Sequence, residues 1–343
     1  DDRPDPAEPA DPHPGHRSDL VGRPAVIPGP GAGRPCITLV VNPASNKGGA
    51  ATIGRLVAEH LSAAARVKVL SGRSQAESVS LLAHAADGAD AVIVCGGDGI
   101  VHLAVNALAE GRVPLGIIPA GTGNDTAIAL GVDPDPRRAA DSLLAALLAG
   151  SVRRIDLGHC AAVPVAPGAT GRWWVTMLYA GFDSAVNERA NAMRWPKGRR
   201  RYDLAIAAEL VGMKIRRMGL RLDDRVLELP VTLVAIGNGP QYGGGKLMTP
   251  PAKMDDGLFD VTVVGAVSRL TLARLAPRLP TAGHIGHPAV SQYRAREVTF
   301  DAPDTVAYAD GERVGELPIR TVCVPAALPV LVPIGLLPAG LSR

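Results

Sequence analysis

Aromatic residues are scarce in this chain: Phe, Trp and Tyr make up 3% of its 343 residues. Interiors must therefore be filled by Val, Leu, Ile and Ala, within an apolar fraction of 47%. Nor are aromatics interleaved with the basic residues, as platforms for nucleic-acid bases would require. Cysteine is sparse too. Cys36, Cys95, Cys160 and Cys323 lie far apart with no CxxC pair, so reduced core thiols and a cytoplasmic protein are expected. Long apolar runs are missing. The stretch from Ala326 to Leu341 is broken by Pro329, Pro333 and Pro338, and the start of the chain shows no secretory pattern. Any membrane contact is expected to be peripheral, at the inner face. Net charge is only +3, too little to imply nucleic acid. There is no GxxxxGK[ST] and no GxSxG, which excludes a P-loop and weakens an esterase reading. His284-Ile285-Gly286-His287 lacks the Glu of a helical HExxH site and reads as a loop with solvated histidines.

What the chain does have is glycine in telling places. Gly96-Gly97-Asp98-Gly99 follows the apolar run Ala91–Cys95 and precedes a helix-like segment, Val101 to Leu108. Glycines let bare backbone N–H groups approach a polyphosphate, and the helix N-terminus adds positive potential. One fixed Asp in such a turn suggests a nucleotide held near a metal. An ordinary strand-to-helix turn remains the alternative for this tetrapeptide alone.

Two more loops repeat the pattern. Leu115–Pro119 runs into Gly121-Thr122-Gly123-Asn124-Asp125, where Thr122 and Asn124 add neutral donors for phosphate or sugar. Ile37–Val41 ends in Asn42-Pro43-Ala44-Ser45-Asn46-Lys47-Gly48-Gly49. Ligands of open α/β sheets bind outside the carboxyl ends of strands. Alternating strand and helix from Cys36 to Gly150 predicts a doubly wound α/β domain. Beyond Arg153 the runs 175–178, 220–222, 226–229 and 231–236 predict a mainly antiparallel second domain. It carries one helix, in which Leu204, Ala207, Ala208, Val211 and Ile215 form an apolar stripe.

In their order and context, Asn42-Pro43, Gly96–Gly99 and Gly121–Asp125 resemble the motifs of the diacylglycerol kinase catalytic family. Gly181-Phe182-Asp183, Gly237-Asn238, Gly243–Gly245, Asp256–Asp260 and Asp310-Gly311-Glu312 continue that order, so the resemblance spans about Cys36 to Pro333. It implies an ATP- and Mg²⁺-dependent lipid kinase, with diacylglycerol as the first acceptor to consider. Other readings are a sphingoid-base or other lipid kinase, an NAD kinase, or a silent nucleotide-binding regulator. It also implies an active site in a cleft between the α/β domain and a β-sandwich-like domain, with the last segment returning to the first domain. Ile100 stands where many members carry Thr, which removes a hydroxyl near the phosphates.

The expected boundaries are a disordered Pro/Gly-rich tail at 1–35, a nucleotide-binding domain at 36–153 rejoined by 326–343, and a lipid-substrate domain at 154–325. Asn42, Gly96, Gly97, Asp98, Gly99, Gly121, Thr122, Gly123 and Asn124 are the expected nucleotide contacts. By resemblance Asp310 is the general base, with Glu312 beside it. Asp98 and Asp125 are candidate metal-network carboxylates. The turn at Asp256 concentrates acidic oxygens suited to Mg²⁺, and the resemblance adds the carbonyls of Lys253 and Leu258. Between Arg189 and Arg217 nine basic and two acidic residues give +7, leaving −4 elsewhere. The part from Arg194 to Arg201, with Trp195, suits an anionic membrane surface, though a solvated loop explains it equally. A homodimer is compatible with the sequence.

Overall fold

The computed structural model describes residues 33–43, 45–165, 170–196 and 198–334. Most of the expected tail, residues 1–32, and the last nine residues of the returning segment lie outside the described residues.

Strand and helix alternate through the first half. The order is β1 (Cys36–Val41), α1 (Gly49–Leu61), β2 (Arg66–Ser71), α2 (Gln75–Ala83) and β3 (Ala91–Gly96). It continues with α3 (Asp98–Leu108), β4 (Leu115–Pro119), α4 (Asp125–Ala129) and α5 (Pro136–Leu148). The strands lie parallel in the order β2-β1-β3-β4. β1, β3 and β4 are apolar and buried, as strands covered on both faces must be. The exception is β2. It lies at the sheet edge with mostly exposed residues, so no apolar run announces it in the sequence. Ser74 caps α2 by accepting from the Glu77 N–H, and Asp135 caps α5.

The second half is rich in antiparallel strands: β5 (Val152–Ala162), β6 (Arg172–Trp174), β7 (Met177–Gly181), β8 (Arg216–Leu222) and β9 (Arg225–Gly237). They are followed by β10 (Phe259–Gly265), β11 (Val290–Ala295), β12 (Glu297–Asp301), β13 (Val306–Ala309), β14 (Glu312–Glu316) and β15 (Ile319–Leu331). Three helices interrupt them: α6 (Phe182–Ala192), α7 (Arg199–Val211) and α8 (Arg269–Leu275). β9 runs through Pro230, so the runs 226–229 and 231–236 form one strand rather than two. Some of the scarce aromatics fill the interior: Trp174 stacks on Phe259 with ring centroids 5.0 Å apart.

Two large apolar cores, with smaller clusters beside the second, give the two-domain α/β architecture. One is built on β1, β3, β4 and their helices together with Ala327–Val332; the other lies within the antiparallel strands. β5 and β15 cross from one core to the other as a hydrogen-bonded antiparallel pair. Their register breaks once, where Pro325–Ala327 bulge opposite Asp156. Asp156 holds the bulge: its carboxylate accepts the N–H of Ala326 at 2.8 Å and of Gly257 at 2.7 Å.

Helix α7 forms where expected, but its apolar stripe faces outward. Leu204 is 49% exposed and Val211 70%, whereas Ala205 is buried. His284 departs in the opposite sense. The expected solvated histidine is buried, with Nε2 near the Met248 carbonyl, and burial lowers its pKa.

Candidate active site

The carboxyl ends of the parallel strands align. Val41 pairs with Ser71 and Cys95, and Gly96 pairs with Pro119. The loops leaving them therefore emerge side by side. Two hydrogen bonds extend the ladder into these loops, from Asn42 N–H to the Cys95 carbonyl and from Ala120 N–H to the Gly96 carbonyl.

The glycine loops touch back to back. A Cβ built on Gly121 would lie 2.4 Å from the Gly97 Cα, and one on Gly97 would lie 3.1 Å from the Gly121 Cα. Glycine is required at both positions because two main chains meet there. Gly96 is closed on its inner side: a Cβ there would lie 2.6 Å from Ile100 Cγ2. Ile100 is buried in the first core, so this residue packs beneath the loop. Gly99, by contrast, is exposed at the start of α3 with open space beside it.

The carboxylates have distinct environments. Asp98 accepts the Thr126 N–H at 3.3 Å. Burial, then the charge of Asp125, push its carboxyl up to about 6, with Asp310 adding a smaller push in the same direction. Gly123 lies between these two groups: a Cβ on it would lie 2.7 Å from Asp98 Oδ2 and 3.4 Å from Asp125 Oδ2. Asp125 also has a structural task. Its oxygens accept the Gly244 N–H at 2.9 Å, the Gly245 N–H at 2.9 Å and the Gln241 amide at 3.3 Å. It thereby clasps the triple-glycine loop of the second half onto the phosphate-type loop of the first. Asn124 has such a task too. With φ of 57° it turns back, accepting from the Gly121 N–H and donating to the Gly121 carbonyl. It shapes the loop, leaving Thr122 exposed.

Asp310 occupies the tight turn between β13 and β14, with Asp310 and Gly311 both at positive φ. This is a hairpin of the Asp-Gly type, and its carboxylate is also the best-held acid of the site. Oδ1 accepts the Thr176 N–H and hydroxyl at 2.8 and 2.7 Å and the Met177 N–H at 3.2 Å. Oδ2 accepts the Val175 N–H at 2.8 Å and lies 3.2 Å from His102 Nδ1. Burial alone would raise this carboxyl; His102 and Thr176 outweigh it and hold it below the usual carboxylate range. His102 lies on α3 one turn after Asp98, so residue 310 is brought beside the helix that the GGDG loop opens. Glu312 is half-buried at the start of β14, opposite Ala309.

The turn at Lys253–Leu258 is arranged differently from the expected cation site. The Asp256 carboxylate is paired with the Arg294 guanidinium and accepts the Leu258 N–H at 3.2 Å. Asp255 is paired with Arg153 at 2.8 Å. Among the described residues no three His, Cys, Asp or Glu side chains converge as a metal cluster. Both acidic side chains of the turn are thus paired with arginines.

Two groups are not singled out by the sequence: His102 and the Val175–Met177 N–H donors. Asp183, from the Gly181-Phe182-Asp183 motif, accepts a hydrogen bond from the Tyr242 hydroxyl. Burial raises the Asp183 carboxyl even so. A cavity of about 690 Å³ opens along the same helix, α6, where apolar Phe182, Ala185 and Met213 share the lining with charged Glu188, Arg189 and Lys214.

Residues 36–160 match the family described as the diacylglycerol kinase catalytic domain. Residues 176–332 match the YegS C-terminal NAD kinase beta sandwich-like domain. A diacylglycerol kinase of Mycobacterium tuberculosis is 39% identical over 301 residues, spanning 87% of this chain and 95% of that protein. A Xanthomonas oryzae pv. oryzae protein named "Probable lipid kinase YegS-like" is 32% identical over 266 residues, spanning 72% of this chain and 80% of its own. A crystal structure of a diacylglycerol kinase from Bacillus anthracis superposes with a TM-score of 0.65 at 21% identity, covering 88% of this chain and 98% of that one. That last likeness is one of fold.

Proposed function

The chain belongs to the diacylglycerol kinase family of lipid kinases, and from that premise we propose that it phosphorylates diacylglycerol with ATP and Mg²⁺, giving phosphatidic acid. The observation that carries this reading is the approach of Asp310 to α3, the helix that begins at Asp98. The touching glycine loops present backbone N–H groups and a helix N-terminus to a triphosphate. The acceptor oxygen attacks the γ-phosphorus, the bond to the departing ADP breaks, and the hydroxyl proton passes to Asp310. Asp310 is suited to this because its neighbours keep it ionised. The entering hydroxyl takes a place among the donors now held by the carboxylate.

Asp98 fits a hard cation: a buried carboxylate beside a second carboxylate is short of positive charge. Magnesium, when bound, supplies charge neutralisation at the triphosphate. The Asp256 turn fits less well, since Arg294 already neutralises it.

The lipid side of the reading rests on the cavity at Phe182. Gly181 and Val306, which line it, stand at the far ends of β7 and β13 from Asp310. Four strand residues separate the two, roughly 13 Å at the usual rise. An acceptor hydroxyl at Asp310 and an acyl chain in the cavity are compatible with that span. Trp195 at 80% exposure and the outward stripe of α7 flank the same half of the molecule, with Arg194, Arg200 and Lys214 also exposed. Together they suit peripheral contact with an anionic bilayer.

Purified protein given Mg²⁺, radiolabelled ATP and, in parallel, diacylglycerol, a sphingoid base or NAD⁺ tests the proposal. Label is expected in phosphatidic acid. Label confined to a sphingoid phosphate or to NADP⁺ would replace diacylglycerol as the acceptor.

A further inference from the structure

Helix α3 carries more than Asp98 toward the Asp310 turn. Asp98, His102 and Asn106 recur every four residues and so share one face. The first belongs to the GGDG loop. The second lies 3.2 Å from Asp310, and their side chains are 8% and 3% exposed. The third fixes the helix to the start of the antiparallel half in two directions. Its amide donates to the Trp173 carbonyl at 2.9 Å and its Oδ1 accepts the Trp173 N–H at 3.0 Å. The other four donors to Asp310 come from Val175–Met177, in the same half as Asp310 itself. His102 alone among the five reaches it from the glycine-loop half.

We propose that His102 is a positioning residue for phosphoryl transfer: its Nδ1 holds Asp310 Oδ2 across the crevice and fixes the carboxylate one helical turn from Asp98. Asp310 is 208 residues away in sequence. Without this contact the carboxylate is anchored only to its own half of the molecule. Its distance from the phosphate loops is then set only indirectly, through the Asn106–Trp173 contact and the strand that follows it. The inference rests on the reading of Asp310 as proton acceptor. The charged or titratable groups facing Asp310 are His102 and Asp98 from α3, Cys160 from β5 and Tyr179 from β7. Of these only His102 is a potential cation.

The test compares wild type, His102→Ala, His102→Asn and Asp310→Ala with MgATP and diacylglycerol in mixed micelles. It reads kcat, both KM values, the pH profile of kcat and the melting temperature. His102→Ala is expected to lower kcat on the order of 10- to 100-fold, the cost of a small misplacement at the reacting centre. Both KM values should stay within about twofold, and the acid limb of the profile should move to higher pH. His102→Asn, whose amide can occupy the Nδ1 position, should recover most of kcat. A wild-type or raised kcat in His102→Ala would overturn the proposal. So would a loss that His102→Asn does not relieve although both variants melt like wild type. Near-wild-type turnover in Asp310→Ala would instead remove Asp310 as acceptor, and that outcome is distinguishable because it does not depend on His102.

Discussion

The two sides of the candidate site, the glycine loops and the Asp310 turn, are built on opposite plans. One wall works by what it leaves out: Gly97 and Gly121 meet main chain to main chain, with no room for a methyl group. The other works by accumulation, with five donors converging on the single carboxylate of Asp310. The first plan is local and unforgiving. The second is assembled from distant segments, and losing one donor leaves four.

The largest expected effect breaks the first wall. Gly121→Val places a branched side chain where 2.4 Å separates a Cβ from the Gly97 Cα, so the loops must part. ATP affinity measured by calorimetry should fall more than about 100-fold, the cost of misplacing a phosphate cradle. Melting temperature, followed in parallel, separates this from unfolding. An ATP affinity near wild type would mean that the contact of the loops is not what holds the triphosphate.

A smaller effect separates the carboxylates of the two walls by pH. Asp98 is raised to about 6 and Asp310 is lowered. A carboxylate whose folded pKa is raised destabilises the fold fully above that pKa, and the penalty disappears below the unfolded pKa. In EDTA, Asp98→Asn should therefore melt above wild type at pH 8. The gap should narrow as pH falls through about 6 and close near 4. For activity the sign reverses: loss of the Asp98 charge should depress turnover below pH about 6. A gap that is constant with pH would show that Asp98 is not the titrating group.

The smallest effect concerns the antiparallel half alone. Leu204→Ser with Val211→Ser removes apolar area that is already exposed. Co-sedimentation with anionic vesicles should fall on the order of tenfold, while turnover on a short-chain diacylglycerol stays unchanged. Equal binding of the variant and wild type would place the membrane contact elsewhere.

The same contrast explains what the sequence could reveal. The glycine loops are legible because each follows its own strand within a few residues, and the alternation of strand and helix up to Gly150 gave the first domain. β2 escaped notice because an edge strand needs no apolar run. The α7 stripe has helical spacing, but spacing does not say which way a face points, and Val211 points out. The motif points to Asn124 for the nucleotide and to Asp125 for a metal network; it does not show that the same polar atoms tie to Gly121 and to the triple-glycine loop. The partners of Asp310 lie 133 to 208 residues away, and no local pattern could name them. His102 left one trace: a histidine one turn after a GGDG aspartate, on a helix whose other buried residues are apolar.

The paired crossing of β5 and β15 limits how the crevice can move. A molecule whose lobes are joined by single loose connectors can swing open like a door. Here two stretches of chain are laced to each other, so closing around a nucleotide must twist a stiff ribbon, and the slack is concentrated at the bulge that Asp156 pins. The two halves are thereby fastened along a length of paired backbone rather than at a point.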